Sequence, residues 1–136
     1  MQPRVDVTLE IELLTRFFAA INANDMDGMA AHFADDVVRV EPAGHATSAV
    51  YRGALAIKEC VRTGRATWAE GACLSEAFYV NGDKVVVFLH AHVRVHGASA
   101  WSGGRFADGF VLRDERIAEY RTFHERDDAL KWAGIA

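Results

Sequence analysis

Apolar positions change their period once along the chain. Leu14, Phe17, Phe18 and Ile21 recur at i, i+3, i+4 and i+7, the spacing of one helix face, and predict a helix from about Thr8 to Asn24. Asn24 and Asp25 interrupt it. Met26, Met29, Ala30 and Phe33 repeat the spacing and predict a second, short helix ending near Ala34–Asp35. Val37–Glu41 reads as a first strand, residues 42–52 as a loop, and Ala54, Ile57 and Val61 as a third helix bounded by Gly53 and Gly64. Beyond Gly71 the pattern alternates. It predicts strands over Ala72–Val80, Lys84–His96, Arg105–Arg113 and Arg116–His124, with turns at Asn81-Gly82-Asp83 and Asp114-Glu115. The tail Glu125–Ala136 reads as a short helix.

Three helices followed by a meander of long strands is an α+β pattern, and helices first and strands last disfavour a doubly wound parallel sheet. A curved antiparallel sheet with the three N-terminal helices laid across its mouth would enclose a pocket. The 136 residues carry no internal repeat or linker, so one domain spanning 1–136 is expected. Hydrophobic residues at 51% and charged residues at 25% are the composition of a folded chain. A net charge of −4, without a cluster of Lys and Arg, offers no footprint for nucleic acid or an anionic membrane. The longest strongly apolar run, Val85–Leu89, is too short to span a bilayer, and MQPRVDVTLEIEL lacks a secretory pattern. Cys60 and Cys73 have no metal-like spacing. Either a disulfide or two reduced thiols is open, with reduced thiols expected in a cytoplasmic protein.

Asp108 is the most informative candidate. Strand parity sets it beside Phe106, Phe110 and Leu112, a lone carboxyl in an apolar row. Pointing inward, it would be desolvated, and its pKa would rise. A carboxylic acid kept neutral can donate to a developing oxyanion; the alternative is a structural Asp bonded to backbone. On the last strand Ala118, Tyr120, Thr122 and His124 share one face, and Ile117, Glu119, Arg121 and Phe123 the other. The first set is the better pocket lining, since it leaves the Glu119 and Arg121 charges in water. Tyr120 and His124 would then bring a hydroxyl and an imidazole towards Asp108, or His124 would be a partly exposed strand end.

Glu41 stands directly before Pro42, which holds it extended at a strand end. It shares parity with Val37 and Arg39, so a pocket base and a solvated ion pair with Arg39 both fit. His90, His92 and His96 form H-x-H-x-x-x-H on one strand face, but Arg94 lies among them and opposes a bound cation, so no metal is expected. The opposite face, with Val87, Leu89, Ala91, Val93 and Val95, is the more natural core. No G-x-S-x-G elbow, G-x-G-x-x-G or P-loop occurs, so no cofactor is expected and chemistry would rest on side-chain acids and bases.

The segments RFFAAINANDMDGMAAHFADDVVRVEPAG, YRGALAIKECV and RFADGFVLRDERIAEYRTFHERDDALKWAG resemble the ketosteroid isomerase and SnoaL-like (polyketide cyclase-like) branch of the nuclear transport factor two-like superfamily. The resemblance runs from about Leu9 to Gly134. It implies a cone-shaped, cystatin-like α+β barrel with a deep apolar cavity, usually in a homodimer packed through the outer sheet face. The ketosteroid isomerase mechanism uses an Asp base with an oxyanion hole of a Tyr and a protonated Asp, and it comes to this chain by resemblance alone. On that basis Glu41 takes the place of the base and Asp108 that of the protonated Asp, while Phe17 stands where the family has its Tyr. Loss of one such donor typically costs about 2.7–4 kcal/mol of transition-state stabilisation, which Tyr120 or His124 would have to replace. Phe17, Ile21, Phe33, Val87, Leu89, Phe106 and Phe110 are the expected pocket lining.

These readings imply a small hydrophobic ligand as partner. The first function is a cofactor-free isomerase or cyclase acting through an enolate on a steroid-like or polyketide-like carbonyl compound. A hydrolase or dehydratase in the same pocket, and a non-catalytic binding or dimerisation module, are the alternatives, with a metal enzyme behind them.

Overall fold

The computed structural model describes residues 7–42 and 49–135. Leu14, Phe17, Phe18 and Ile21 form the buried face of α1 (Thr8–Asn22), which ends before Asn24, whose φ of 57° breaks the helical backbone. Asp25 caps α2 (Met26–Ala30), accepting a hydrogen bond from the Gly28 amide at 2.9 Å.

Here the first departure from periodicity occurs. The chain expected to stay helical to Ala34–Asp35 instead enters β1 (Phe33–Val40). Phe33 is buried in either geometry, so its spacing could not distinguish them. Tertiary pairing decides: the Ile117 amide donates to the His32 carbonyl at 2.8 Å, and Phe33 pairs with Ile117. A second short strand, β2 (Val50–Arg52), lies within the expected loop and pairs antiparallel with β1. Residues 43–48 of that loop fall outside the described residues. Next come α3 (Ala54–Arg65), β3 (Trp68–Asn81), β4 (Lys84–Val95), β5 (Ser102–Arg113), β6 (Arg116–Phe123) and α4 (Arg126–Trp132). β3 begins before Gly71, which has φ 116° and pairs with Val93 just after an irregularity between Trp68 and Glu70 in the β3–β4 ladder. A Cβ there would meet the His92 carbonyl at 2.3 Å, so only glycine fits.

The six strands form one curved sheet in the order β2-β1-β6-β5-β4-β3, which does not close into a barrel. Every pairing is antiparallel except β1–β6, which is parallel. A bulge corrects the parity expected of β6. Val111 pairs with Glu119 but Leu112 with Ile117, so one extra residue lies between and the face switches. Ile117, expected on the outer face, is therefore fully buried in the same core as Tyr120.

The concave face carries the main core, where Val85, Val87 and Leu89 meet α1, α2 and Ile57 of α3. The convex face has a smaller cluster in which Ala129 and Ala133 pack on Val86 and Ala107. α4 approaches so closely that a Cβ on Gly109 would stand 2.6 Å from the Trp132 ring and 3.0 Å from that of Phe123. Gly109→Ala should therefore destabilise the fold by about 1–3 kcal/mol, read as a lowered denaturation midpoint, because both rings must shift. Full stability in that variant would show that α4 does not dock there. His90 and His92 lie on this outer face, their rings stacked at 6.3 Å, with Trp101 4.7 Å from His92.

Candidate functional site

Three neighbouring strands deliver polar groups into the concave face. Across the β1–β6 ladder Arg39 stands opposite Tyr120, and across the β6–β5 ladder Tyr120 stands opposite Phe110 and Thr122 opposite Asp108. Arg39, Tyr120, Thr122 and Asp108 thus form a row. The inward face of β1 is the Val37, Arg39, Glu41 face: Val37 is fully buried in the main core, and Arg39 and Glu41 line a cavity of about 330 Å³. Phe18 and Ile21 of α1, Cys60, Val61 and Arg65 of α3, and Trp68, Cys73 and Phe106 complete much of its wall.

The hydrogen bonds in the row run one way. Arg39 Nη2 donates to Thr122 Oγ1 at 2.9 Å, and that hydroxyl donates to Asp108 Oδ1 at 2.7 Å. The guanidinium lies over the Tyr120 ring, 3.9 Å from its centroid. Its Nε and Nη1 are shielded from solvent and have no hydrogen-bond partner among the described residues. On the other side, Cys60 Sγ donates weakly to Glu41 Oε1 at 3.4 Å.

Asp108 is 2% exposed. Burial pushes its pKa from 3.8 up to about 6, against the opposing pull of Arg39 and of the Thr122 and Tyr120 hydroxyls. The same burial, with Asp108 nearby, drives the Tyr120 phenol far upward, so it stays a neutral donor. Both cysteines are free. Burial pushes the Cys73 thiol up to about 12, and burial together with the bond to Glu41 raises Cys60. Neither is a ready thiolate nucleophile at neutral pH. The site can therefore offer a weak buried acid, a second carboxylate on the facing edge, a phenol and a guanidinium.

The expected site residues divide. Asp108, Glu41, Tyr120, Ile21 and Phe106 line this one cavity. His124 does not: β6 ends at Phe123, and the exposed imidazole lines a separate cleft of about 420 Å³ with Val40, Pro42 and Asp128. Glu41 borders both spaces. Phe17, Phe33, Val87, Leu89 and Phe110 are buried behind the cavity in the closed core, because the aromatic rings of α1, β5 and β6 fill the narrow end of the sheet. Sequence reasoning misses Arg39 and Cys60 as site residues, and Thr122 as the link between Arg39 and Asp108. Parity with the buried Val37 is the available signal for Arg39, and parity with Tyr120 already sets Thr122 on the pocket-lining face without giving it a role; nothing in the local sequence marks Cys60. A groove of about 590 Å³ around Leu9, Arg16 and His32 is larger, but it has no buried acid.

Known structures share this architecture. A protein from Catenulispora acidiphila with a ketosteroid isomerase-like fold, crystallised with trimethylamine, superposes with a TM-score of 0.74 at 21% identity, covering 92% of this chain and 94% of its own. TerC, co-crystallised with polyporic acid, gives 0.75 at 19% identity, with 93% and 99% covered. A putative polyketide cyclase from Sinorhizobium meliloti gives 0.67 at 25% identity, with 82% and 93% covered. Comparison with curated proteins finds no match. Residues 14–120, most of the chain and nearly all of the cavity wall, match the SnoaL-like domain, and the chain belongs to that family.

Proposed function

We propose that this protein is a cofactor-free acid–base enzyme that isomerises or cyclises a hydrophobic carbonyl compound through an enolate. One observation carries the reading: a carboxyl that is 2% exposed and has a pKa of about 6 shares an otherwise largely apolar cavity with a second carboxylate, Glu41. Two carboxyls with unlike environments suit unlike roles. Glu41 would take the proton from the carbon next to the carbonyl. Asp108 in its protonated form, with Tyr120, would donate hydrogen bonds to the enolate oxygen. Return of the proton at another carbon completes an isomerisation; attack of the enolate carbon on a second carbonyl completes a cyclisation. The ligands of two structural neighbours, trimethylamine and polyporic acid, agree with a small-molecule site. The outer face, with Trp101 exposed beside His92 and Leu74 exposed across the ladder from His90, suits a homodimer contact.

A binding-only protein is the second reading. It is favoured by Phe17, which occupies the closed core and offers no donor to the cavity. A thermal-shift screen against steroids, aromatic polyketide analogues and phenols tests both. A ligand at a hundredfold over its Kd adds about 2.7 kcal/mol to native stability and should raise Tm by several degrees. Product formation from a stabilising compound supports the enzyme. Stabilisation without turnover supports the binding protein, and no shift across the panel defeats both.

A further inference from the structure

Arg39 is the polar group that the proposed chemistry leaves unexplained. A guanidinium has five N–H donors in a planar fork and is always charged. Here Thr122 accepts from Nη2 alone, while Nε and Nη1 are sealed from water without a partner among the described residues. No described carboxylate oxygen lies within ion-pair distance of it; the ion pairs nearby, such as Arg121 with Glu119, belong to the other face. Buried polar groups are almost always bonded, and a buried charge lacking a direct counter-ion costs several kcal/mol. The arrangement is therefore incomplete as it stands. Its place over the Tyr120 ring, 3.9 Å from the centroid, and the bond to Thr122 hold the group from two sides, so the free edge is restrained rather than searching. Nη2 carries two hydrogens, one parallel to the Nε hydrogen and one parallel to an Nη1 hydrogen. Whichever of them Thr122 takes, one complete pair of parallel donors remains, and that is the geometry that grips an acidic oxygen pair.

We propose that Arg39 is an anion subsite of the cavity and that its natural ligand is an apolar molecule bearing an acidic oxygen group, either a carboxylate or an enolised β-dicarbonyl. This rests on the cavity being a ligand site and narrows the ligand class. The apolar body would lie against Phe18, Ile21, Trp68 and Phe106, which line the same space. The acidic group would supply a direct counter-ion, where Asp108 and Glu41 act on the fork only from beyond ion-pair distance. Arg65, the other guanidinium at the wall, is unsuited to the role. Its Nε and Nη2 already donate to the Ile21 and Asn22 carbonyls at 2.8 and 2.9 Å, and it rests on the Trp68 ring.

Matched probes that differ only in charge test this on the intact protein by titration calorimetry. 1-Naphthoic acid is paired with 1-naphthamide, and 2-hydroxy-1,4-naphthoquinone with its methyl ether; the first pair reports on a carboxylate and the second on an enolised dicarbonyl. At least one acid should bind roughly ten- to a hundredfold tighter than its neutral partner, the range expected of a charge-assisted, two-point contact. Arg39→Met should abolish that preference while leaving the neutral probe's Kd within a few fold. Arg39→Lys, which keeps the charge but loses the fork, should retain only part of it. Equal binding of acid and neutral probe by the wild-type protein overturns the anion subsite and leaves the cavity reading intact. A preference unchanged in Arg39→Met also overturns it. Failure of all four probes to bind overturns the subsite together with the cavity reading. The wild-type comparison decides the matter even if Arg39→Met does not fold.

Discussion

Asp108→Asn is expected to lower turnover of the enolisable substrate by two to three orders of magnitude, the usual effect of removing one donor from an oxyanion site. Asn is nearly isosteric and can still accept from the Thr122 hydroxyl, now at 2.7 Å from the carboxylate, so the row of side chains should survive. What disappears is an acidic proton. In the wild-type protein the donor form is lost as Asp108 ionises near pH 6, so kcat/KM should show a descending limb there that the variant lacks.

The same substitution has a thermodynamic signature with a definite sign. Asp108 titrates at about 6 when folded, against an ordinary value of 3.8. Between those pH values the folded chain holds a proton that the unfolded chain has lost, so native stability from this residue falls as pH rises. Across the two-unit window the loss is on the order of 3 kcal/mol, and it is complete above pH 6. Denaturant unfolding at a series of pH values should therefore give an Asp108→Asn curve that gains on the wild type between pH 4 and 6, then runs parallel to it. The slope is the signature rather than the level, because the variant also loses a counter-charge near Arg39. Parallel curves throughout would mean that Asp108 is solvated, and the acid–base reading would fall with its desolvation.

Phe17→Ala should cost about 3–5 kcal/mol, a large share of the 5–15 kcal/mol typical of a native domain. Phe17 is fully buried and meets Phe18, Phe33, Phe110 and Tyr120 edge to face, with ring centroids 5.3–5.7 Å apart. Truncation removes all four contacts and opens a space that the surrounding sheet cannot easily close. The damage should reach the site as well, since Tyr120 carries Phe17 on one flank and Arg39 on its face. Phe17→Tyr is the sharper comparison. If Phe17 bordered the cavity, the added hydroxyl would give the site a further donor and raise activity. Enclosed as it is, the hydroxyl should find no partner and cost about 1–3 kcal/mol instead. Urea midpoints and initial rates of the two variants separate these outcomes; a more active Phe17→Tyr protein would place that ring at the cavity wall.

The sequence by itself determined the elements whose burial repeats over several turns or strand pairs. The α1 face, the Val87–Leu89–Val93 face of β4 and the α+β order follow from periodicity and parity, because an apolar stripe has only one side on which to find a core, whereas parity set Asp108 in an apolar row and left its inward aim for the fold to decide. Resemblance added the family, and with it the expectation that Glu41 and Asp108 take the places of its two acids. Tertiary structure alone decided what depends on a partner distant in the chain. Phe33 became strand because the backbone around Ile117 pairs with it, and a single extra residue on β6 returned Ile117 to the core without any local mark in the sequence. Arg39 is the clearest case. Within VVRVE its parity with Val37 points inward while the cost of burying a guanidinium points to solvent, so local sequence leaves its direction open. Its inward position rests on Thr122 and Tyr120, far along the chain on β6, which hold one nitrogen and the flat face of the group.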